Sequence, residues 1–276
     1  MGTRALARRH RVGAHVVVRD GPRGRELLVD GTFASFYRPG EATTGSVWDA
    51  LAAPLLALPA ARRRRVLVIG LGGGSAARVV RALAPRAEIV GVELDAQVVA
   101  AARRWFDLDS IGVEVVIADA REYLERERRR FDAVLDDVFI GPAKRVRKPD
   151  WLPEPGLRLA AARIAPGGVL SSNTIDEARA VSKCVRTLLG TTVSISIDGY
   201  HNRILAGGAV RSAGELRRAI RASAILAPTL PKLRLRTLSD AMGGARPDAI
   251  RRNASERARP SARRCGARSG RRGPPS

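Results

Sequence analysis

From residue 65 to residue 172 the chain alternates short continuous runs of Val, Ile and Leu with helix-length stretches rich in Ala, Arg and Leu. Short β-branched runs with no polar alternation are what strands covered on both faces require, and the longer segments between them supply the cover. The pattern predicts strands at residues 66–69, 88–92, 113–117, 133–135 and 169–172, with helices near 76–83, 96–105, 121–128 and 156–164. Further on, residues 193–197 and 203–207 bracket Asp198-Gly199-Tyr200-His201-Asn202, a turn between two antiparallel strands that would close the sheet edge. Five parallel strands finished by such a pair make an α/β, doubly wound, mostly parallel Rossmann-like sheet.

Ahead of this pattern the chain reads differently. The first 14 residues are Arg-rich, lack acids and read as a loose arm. Apolar runs at 15–19 and 26–29 flank Asp20-Gly21-Pro22-Arg23-Gly24, strong turn chemistry that predicts a β-hairpin, and a third strand at 32–37 follows Asp30-Gly31. Thr44 or Ser46 would cap a helix running through Trp48, Leu51 and Leu55 and stopping by Pro59. Beyond Leu238 a Gly, Pro, Ser and Arg composition reads as a disordered tail. The expected organisation is an arm at 1–14, a hairpin and helix at 15–60, one main α/β domain at 61–238 and a tail at 239–276.

Composition sharpens this picture in three places. With 276 residues and 45% hydrophobic content the chain can bury a substantial core, and aromatics at 4% argue against a nucleic-acid binder built on stacking. The net charge of +22 is uneven: residues 241–276 hold ten Arg and two acids, so that stretch alone carries +8. Arg, Ala, Gly and Pro are the residues a GC-rich coding sequence favours and Lys occurs only four times, so a solvated basic surface is preferred over a polyanion site. Cys184 and Cys265 form no metal spacing or disulfide framework, which suits a reducing cytoplasm, and no apolar run is long enough to span a bilayer.

The informative stretch is Val66 to Ser75, a buried strand entering Gly70-Leu71-Gly72-Gly73-Gly74 and then a helix. This is a nucleoside-binding turn, because glycine allows close backbone approach and positive φ. Glu93 ends the second strand nineteen positions after Gly74, where an acid accepts ribose hydroxyl protons. Ser75 breaks the dinucleotide G-x-G-x-x-G pattern and no second substrate domain follows, which disfavours NAD. Asp137 stands at the carboxyl edge of the fourth strand, the edge at which open α/β sheets bind ligands, with a helix cap or surface acid as its alternative reading. Tyr37, Trp48, Asp49, Tyr200 and His201 are candidates for an acceptor side, although a lone His in a turn is more often a turn residue than a catalyst. His10 and His15 have no neighbouring carboxylates in sequence to suggest a metal.

The spacing of Gly70, Gly72 and Gly74, together with Glu93, Asp119 and Asp136-Asp137, resembles the class I methyltransferase fold. That resemblance implies an S-adenosylmethionine-type donor, held by the turn and Glu93, with Asp119 and the adjacent Ala120 at the adenine and Asp137 at the methionine tail or acting as base. Within the superfamily, residues 15–210 resemble spermidine synthases and their spermidine synthase-like relatives. The resemblance rests on Leu28-Val29-Asp30-Gly31, Val92-Glu93-Leu94-Asp95, Ala118-Asp119-Ala120 and Phe131-Asp132-Ala133-Val134-Leu135-Asp136-Asp137. It implies S-adenosylmethionine or its decarboxylated form as donor, a small-molecule acceptor, no metal, and a hairpin module through which a homodimer is compatible. Three departures stand out. The family's D-S-S-D is here Asp137-Val138-Phe139-Ile140, so Ile140 replaces the base, the expected glutamine falls near Ala34, and Tyr-His-Glu becomes Val47-Trp48-Asp49. An acceptor side lined by Val47, Trp48, Val138, Phe139 and Ile140 suits a dicationic diamine poorly. The resulting expectation is transfer of an alkyl group, aminopropyl or methyl, to an unknown acceptor. The alternatives are a small-molecule methyltransferase and an inactive nucleoside-binding scaffold, and a nucleic-acid enzyme using the basic tail as a clamp ranks last.

Overall fold

The computed structural model describes residues 9–238. The expected tail at 239–276, Cys265 and the first eight residues of the expected arm lie outside the described residues. Four strands form an antiparallel sheet in sequence order: β1 (Arg9–Arg11), β2 (Val16–Gly21), β3 (Gly24–Val29) and β4 (Thr32–Tyr37). The turn chemistry acts as read, with Gly21 paired to Gly24 across Pro22-Arg23. Within the expected arm, Arg9, His10 and Arg11 form a strand that pairs with Arg19, Val18 and Val17. His10 stacks on Trp105 and meets Asp20 at 3.4 Å, side-chain contacts that composition alone does not disclose. The inner face, Val16, Val18 and Leu27, is buried against Val98, Ala101 and Phe106.

Helix α1 (Val47–Ala52) follows, buried along its whole length, and passes into a 3-10 turn at Ala53–Ala57 rather than continuing to Pro59. Ser46 occupies the N-cap position without a side-chain cap bond. Asp49, in the first turn, reaches back instead to hold the loop before the helix, accepting from the backbone N–H groups of Thr44 (2.8 Å) and Gly45 (3.0 Å).

The alternating region folds as β5 (Arg65–Ile69), α2 (Ser75–Leu83), β6 (Glu88–Glu93), α3 (Ala96–Trp105), β7 (Val113–Ile117), α4 (Ala120–Arg126), β8 (Phe131–Asp136), α5 (Gly156–Ala162) and β9 (Ile164–Thr174). β9 is much longer than the 169–172 expected, because the strand starts at Ile164 and absorbs Pro166-Gly167-Gly168 through a register irregularity opposite Phe131 and Ala133. Next come α6 (Ala178–Leu189), β10 (Thr192–Ile197), β11 (Arg203–Gly208), α7 (Ala213–Ala222) and β12 (Leu233–Leu238). The eight strands lie in the order β12-β10-β11-β9-β8-β5-β6-β7, with β9 to β7 mutually parallel and the other three antiparallel. The β10–β11 pair therefore does not close the sheet edge: β12 pairs with β10 over six residues and takes that position.

Burial explains why β5 tolerates no polar residue after Arg65. Val66 and Val68 face one apolar layer, with α1, α2 and α7, while Leu67 and Ile69 face the other, with α4, α5 and α6. Among the described residues, no helix is long and apolar enough to cross a membrane. The parallel order has one consequence for chemistry: the carboxyl ends of β8, β5, β6 and β7 lie side by side, about 14 Å across at ~4.8 Å per strand.

Candidate functional site

The glycine turn at the end of β5 is enclosed by protein. Gly70 has φ +78°, and a Cβ there would lie 2.6 Å from the backbone O of Asp137. At Gly72 a Cβ would lie 2.8 Å from Ser35 Oγ. The close approach that glycine permits here is thus to β4 and to the end of β8. Every amide of the turn has an acceptor in the chain. Gly70 and Leu71 donate to Val92 O at 3.0 Å each, Gly72 to Glu93 Oε2 at 2.8 Å, Gly73 to Ser35 Oγ at 2.6 Å and Gly74 to Leu71 O at 3.0 Å. A pyrophosphate needs such amides free, so the turn does not suit a dinucleotide. Ser75 locks the same junction, accepting from Phe36 N at 2.9 Å and donating to Phe36 O at 2.8 Å.

Glu93 stands beside this turn. Its Oε1 accepts from Leu94 N (2.9 Å) and Asp95 N (3.2 Å), and its Oε2 accepts, among the described residues, only from Gly72. Burial raises its pKa, against the pull of those three amides. Asp119 caps α4, with Arg121 N and Glu122 N both on Oδ1, which leaves Oδ2 open. Ala120 begins that helix and is buried. Between the two acids Leu94 is 65% exposed and Ile117 54% exposed, and Glu93 pairs with Ile117 across the sheet. Two large apolar side chains left open beside two acids with spare acceptor capacity fit the face and edges of a purine nucleoside.

On the other side of the turn, Asp137 is partly buried and held at both oxygens, by Asn173 Nδ2 on Oδ1 (2.7 Å) and by Trp48 Nε1 on Oδ2 (2.9 Å). Burial is the main cause that lifts its pKa to about 6, with these bonds and the Lys148 charge opposing. The preceding Asp136 is wholly buried and takes Lys148 Nζ at 2.8 Å, Ser172 Oγ at 2.6 Å and Val138 N at 3.1 Å. The Lys148 ammonium also lies 4.5 Å from the Phe139 ring centroid. Asn173 in turn accepts from Asn202 Nδ2 at 3.0 Å, which ties the β10–β11 turn to the cluster. Ile140, 38% exposed, pairs with Arg147 through two backbone bonds of 2.8 and 3.0 Å, and this loop reaches the β3–β4 turn through Ala143 N to Asp30 O at 3.3 Å.

The structure therefore gathers Trp48 and Asp137 in one cluster and places Gly70, Gly72, Gly74, Glu93, Asp119 and Ala120 along the adjoining strand ends. Asp49 faces elsewhere. It is buried, and its oxygens bond Thr44, Gly45 and the Thr229 hydroxyl (2.7 Å), so it fixes the start of α1. Tyr37 packs on Phe106 and beneath the Arg78 guanidinium. Tyr200, 37% exposed, and the exposed His201 lie in the turn that Asn202 anchors. Sequence reasoning missed Lys148, Ser172, Asn173 and Asn202. A signal existed for two of them: Ser171-Ser172-Asn173-Thr174 is a fully buried polar run ending a central strand, and each side chain is hydrogen-bonded. Among the described residues no three His, Cys, Asp or Glu side chains gather as a metal-binding group.

Comparison with known proteins supports the fold. Residues 66–151 match the model of a methyltransferase domain family. The polyamine aminopropyltransferase of Chromobacterium violaceum is 42% identical over 80 residues, 28% of this chain and 31% of that protein, so the chain spans about a third of the length of the curated relatives it matches most clearly. A crystal structure of a probable spermidine synthase from Corynebacterium glutamicum superposes with a TM-score of 0.65 at 21% identity, covering 84% of this chain and 90% of that one. Human methyltransferase-like protein 13, in complex with SAH, superposes with a TM-score of 0.56 at 24% identity, covering 71% and 96%. The chain is spermidine synthase-like in sequence and has the class I S-adenosylmethionine-dependent methyltransferase fold.

Proposed function

We propose that the chain is a transferase that binds an S-adenosyl-type sulfonium donor across the carboxyl ends of β5 to β8 and passes an aminopropyl or methyl group to a small acceptor. One observation carries the reading: a glycine turn with no amide free for phosphate lies between two acids with spare acceptor capacity and a partly exposed carboxylate of raised pKa. In the donor half, Glu93 Oε2 would take a ribose hydroxyl, Asp119 Oδ2 the adenine amine, and Leu94 and Ile117 the purine face. When bound, such a donor supplies an electrophilic carbon attached to a good leaving group. The chain's own residues then need to align a nucleophile and remove its proton.

Asp137 is the proton acceptor in this reading. Trp48 and Asn173 fix its orientation while each oxygen keeps a lone pair, and a pKa of about 6 leaves it ionised and still basic near neutrality. On the family resemblance the base position is Ile140, which cannot take a proton, so the role shifts to the preceding carboxylate. The acceptor follows from charge. Asp136, Asp137 and Lys148 sum to −1, Lys148 is already paired, and Val138, Phe139 and Ile140 add apolar surface. Two ammonium groups would be poorly compensated there, whereas a neutral or singly charged nucleophile matches.

Incubation with isotopically labelled S-adenosylmethionine or its decarboxylated form, over a panel of monoamines, diamines and a small-molecule cell extract, tests this by mass spectrometry. The expected result is label on an acceptor other than a diamine, reduced by roughly a hundredfold or more in Asp137→Asn. No transfer from either donor under any condition would refute the enzyme reading in favour of an inactive scaffold.

A further inference from the structure

At the opposite ends of β5 and β6, about 16 Å from the glycine turn by strand length, lies a cavity of about 830 Å³. Four arginines line it, Arg63, Arg64, Arg65 and Arg86, together with Ala60, Pro85 and Glu88. Glu88 is the acid in the lining and is already ion-paired to Arg129 at 3.1 Å. The Arg64, Arg65 and Arg86 guanidinium groups are exposed and have neither a hydrogen bond nor an ion pair among the described residues.

The backbone that carries these three cations is braced from every side. Asp132 Oδ2 accepts from both Arg64 N (2.9 Å) and Arg65 N (3.0 Å). Arg63 spans the cavity wall, donating to Leu58 O at 2.8 and 3.0 Å and to Leu83 O at 3.2 Å. Arg81 clamps the turn that presents Arg86, donating to Pro85 O (2.9 Å), Ala87 O (2.8 Å), Ile111 O (2.7 Å) and Gly112 O (3.1 Å). Solvated surface arginines need no such scaffold. Mutually repelling cations held in a concavity raise the local potential, and planar guanidinium forks match phosphate oxygens.

We propose that this cavity is a binding site for a phosphate-dense anion, separate from the donor site. The anion is either free oligophosphate or the backbone of a single-stranded nucleic acid, since both present the same chemistry. The site accounts for a position of the basic charge that coding bias alone would not select: three unpaired cations on braced backbone around one hollow.

Fluorescence polarisation with a labelled single-stranded oligonucleotide, and competition by inorganic tripolyphosphate, test the proposal on the full chain. The triple variant Arg64→Ala, Arg65→Ala, Arg86→Ala is compared with an equally charged control, Arg179→Ala, Arg218→Ala, Arg221→Ala, all exposed residues of α6 and α7. Matching the charge loss cancels the contribution of bulk charge and of the Arg-rich end of the chain. The cavity variant should lose tenfold or more in affinity while the control stays within twofold, and its salt slope should fall by about 2, at ~0.7 per phosphate contact. Because both anions present the same chemistry, tripolyphosphate should displace the oligonucleotide, and failure to displace it overturns the shared site; whichever of the two binds more tightly at equal ionic strength, with that affinity lost in the cavity variant, is identified as the ligand. Equal weakening in both triple variants, or in neither, overturns the site.

Discussion

Asp137 shows how much of a side chain's chemistry is set by its partners. Burial raises its pKa to about 6, and the folded protein therefore binds that proton more tightly than the unfolded chain, whose carboxylates titrate near 3.9. Two consequences follow, with opposite signs. Stability contributed by this group is greatest below pH 4 and falls by something on the order of 2 kcal/mol as pH rises to about 6, since the native state binds more protons in that window. Catalysis runs the other way: the transfer rate should climb tenfold per pH unit below about 6 and level off above it. Asp137→Asn should lower kcat by roughly 10²- to 10⁴-fold, the scale of a lost general base, while leaving donor affinity nearly unchanged. A pH–rate profile with no inflection between 5 and 7 would remove Asp137 from the reaction. Asp137 and Glu93 were legible in the sequence because each ends an apolar strand beside the glycine turn. Lys148 was not, since its pairing with Asp136 depends on a loop that meets the strand only in the folded chain, and Asn173 showed only as part of a polar run whose bond to Asp137 the sequence does not disclose.

The decisive element is β4, which the sequence marks as a strand but not as a lid on the glycine turn. Ser35 gives the Gly73 amide its acceptor in a buried position, and Ser75 bonds both backbone groups of Phe36. Ser35→Ala leaves that amide buried and unsatisfied, which should cost about 1–3 kcal/mol in urea unfolding and loosen the donor turn. Ser35→Thr, which keeps the hydroxyl, should recover part of the loss; equal stability of wild type and Ser35→Ala would mean that β4 merely rests on the turn. Other elements were readable yet hidden by composition. β12 has the period-2 pattern Leu233-Arg234-Leu235-Arg236, but its arginines blend with the basic stretch that follows. α6 places Val181, Cys184 and Val185 at helical spacing, with charged residues elsewhere along the segment masking the buried stripe.

At the scale of the molecule, strand order does what no single motif achieves. Because β5 lies between β8 and β6, Asp137, the glycine turn and Glu93 fall in line although Asp137 and Glu93 are 44 positions apart in sequence. The alternating pattern of the chain conveyed a doubly wound, mostly parallel sheet, while the order of its strands came from the folded structure. Turn packing was less visible: the glycines looked like a ligand cradle and prove to be equally a seat for β4. What remains distinctive is an edge proposed to hold a nucleoside without phosphate, and that proposal has a direct measurement. Titration calorimetry with S-adenosylmethionine, decarboxylated S-adenosylmethionine and methylthioadenosine should give micromolar binding for at least one, weakened by about 1–3 kcal/mol in Glu93→Ala. No heat from any of the three up to millimolar concentration, or an unchanged affinity in Glu93→Ala, would contradict the account.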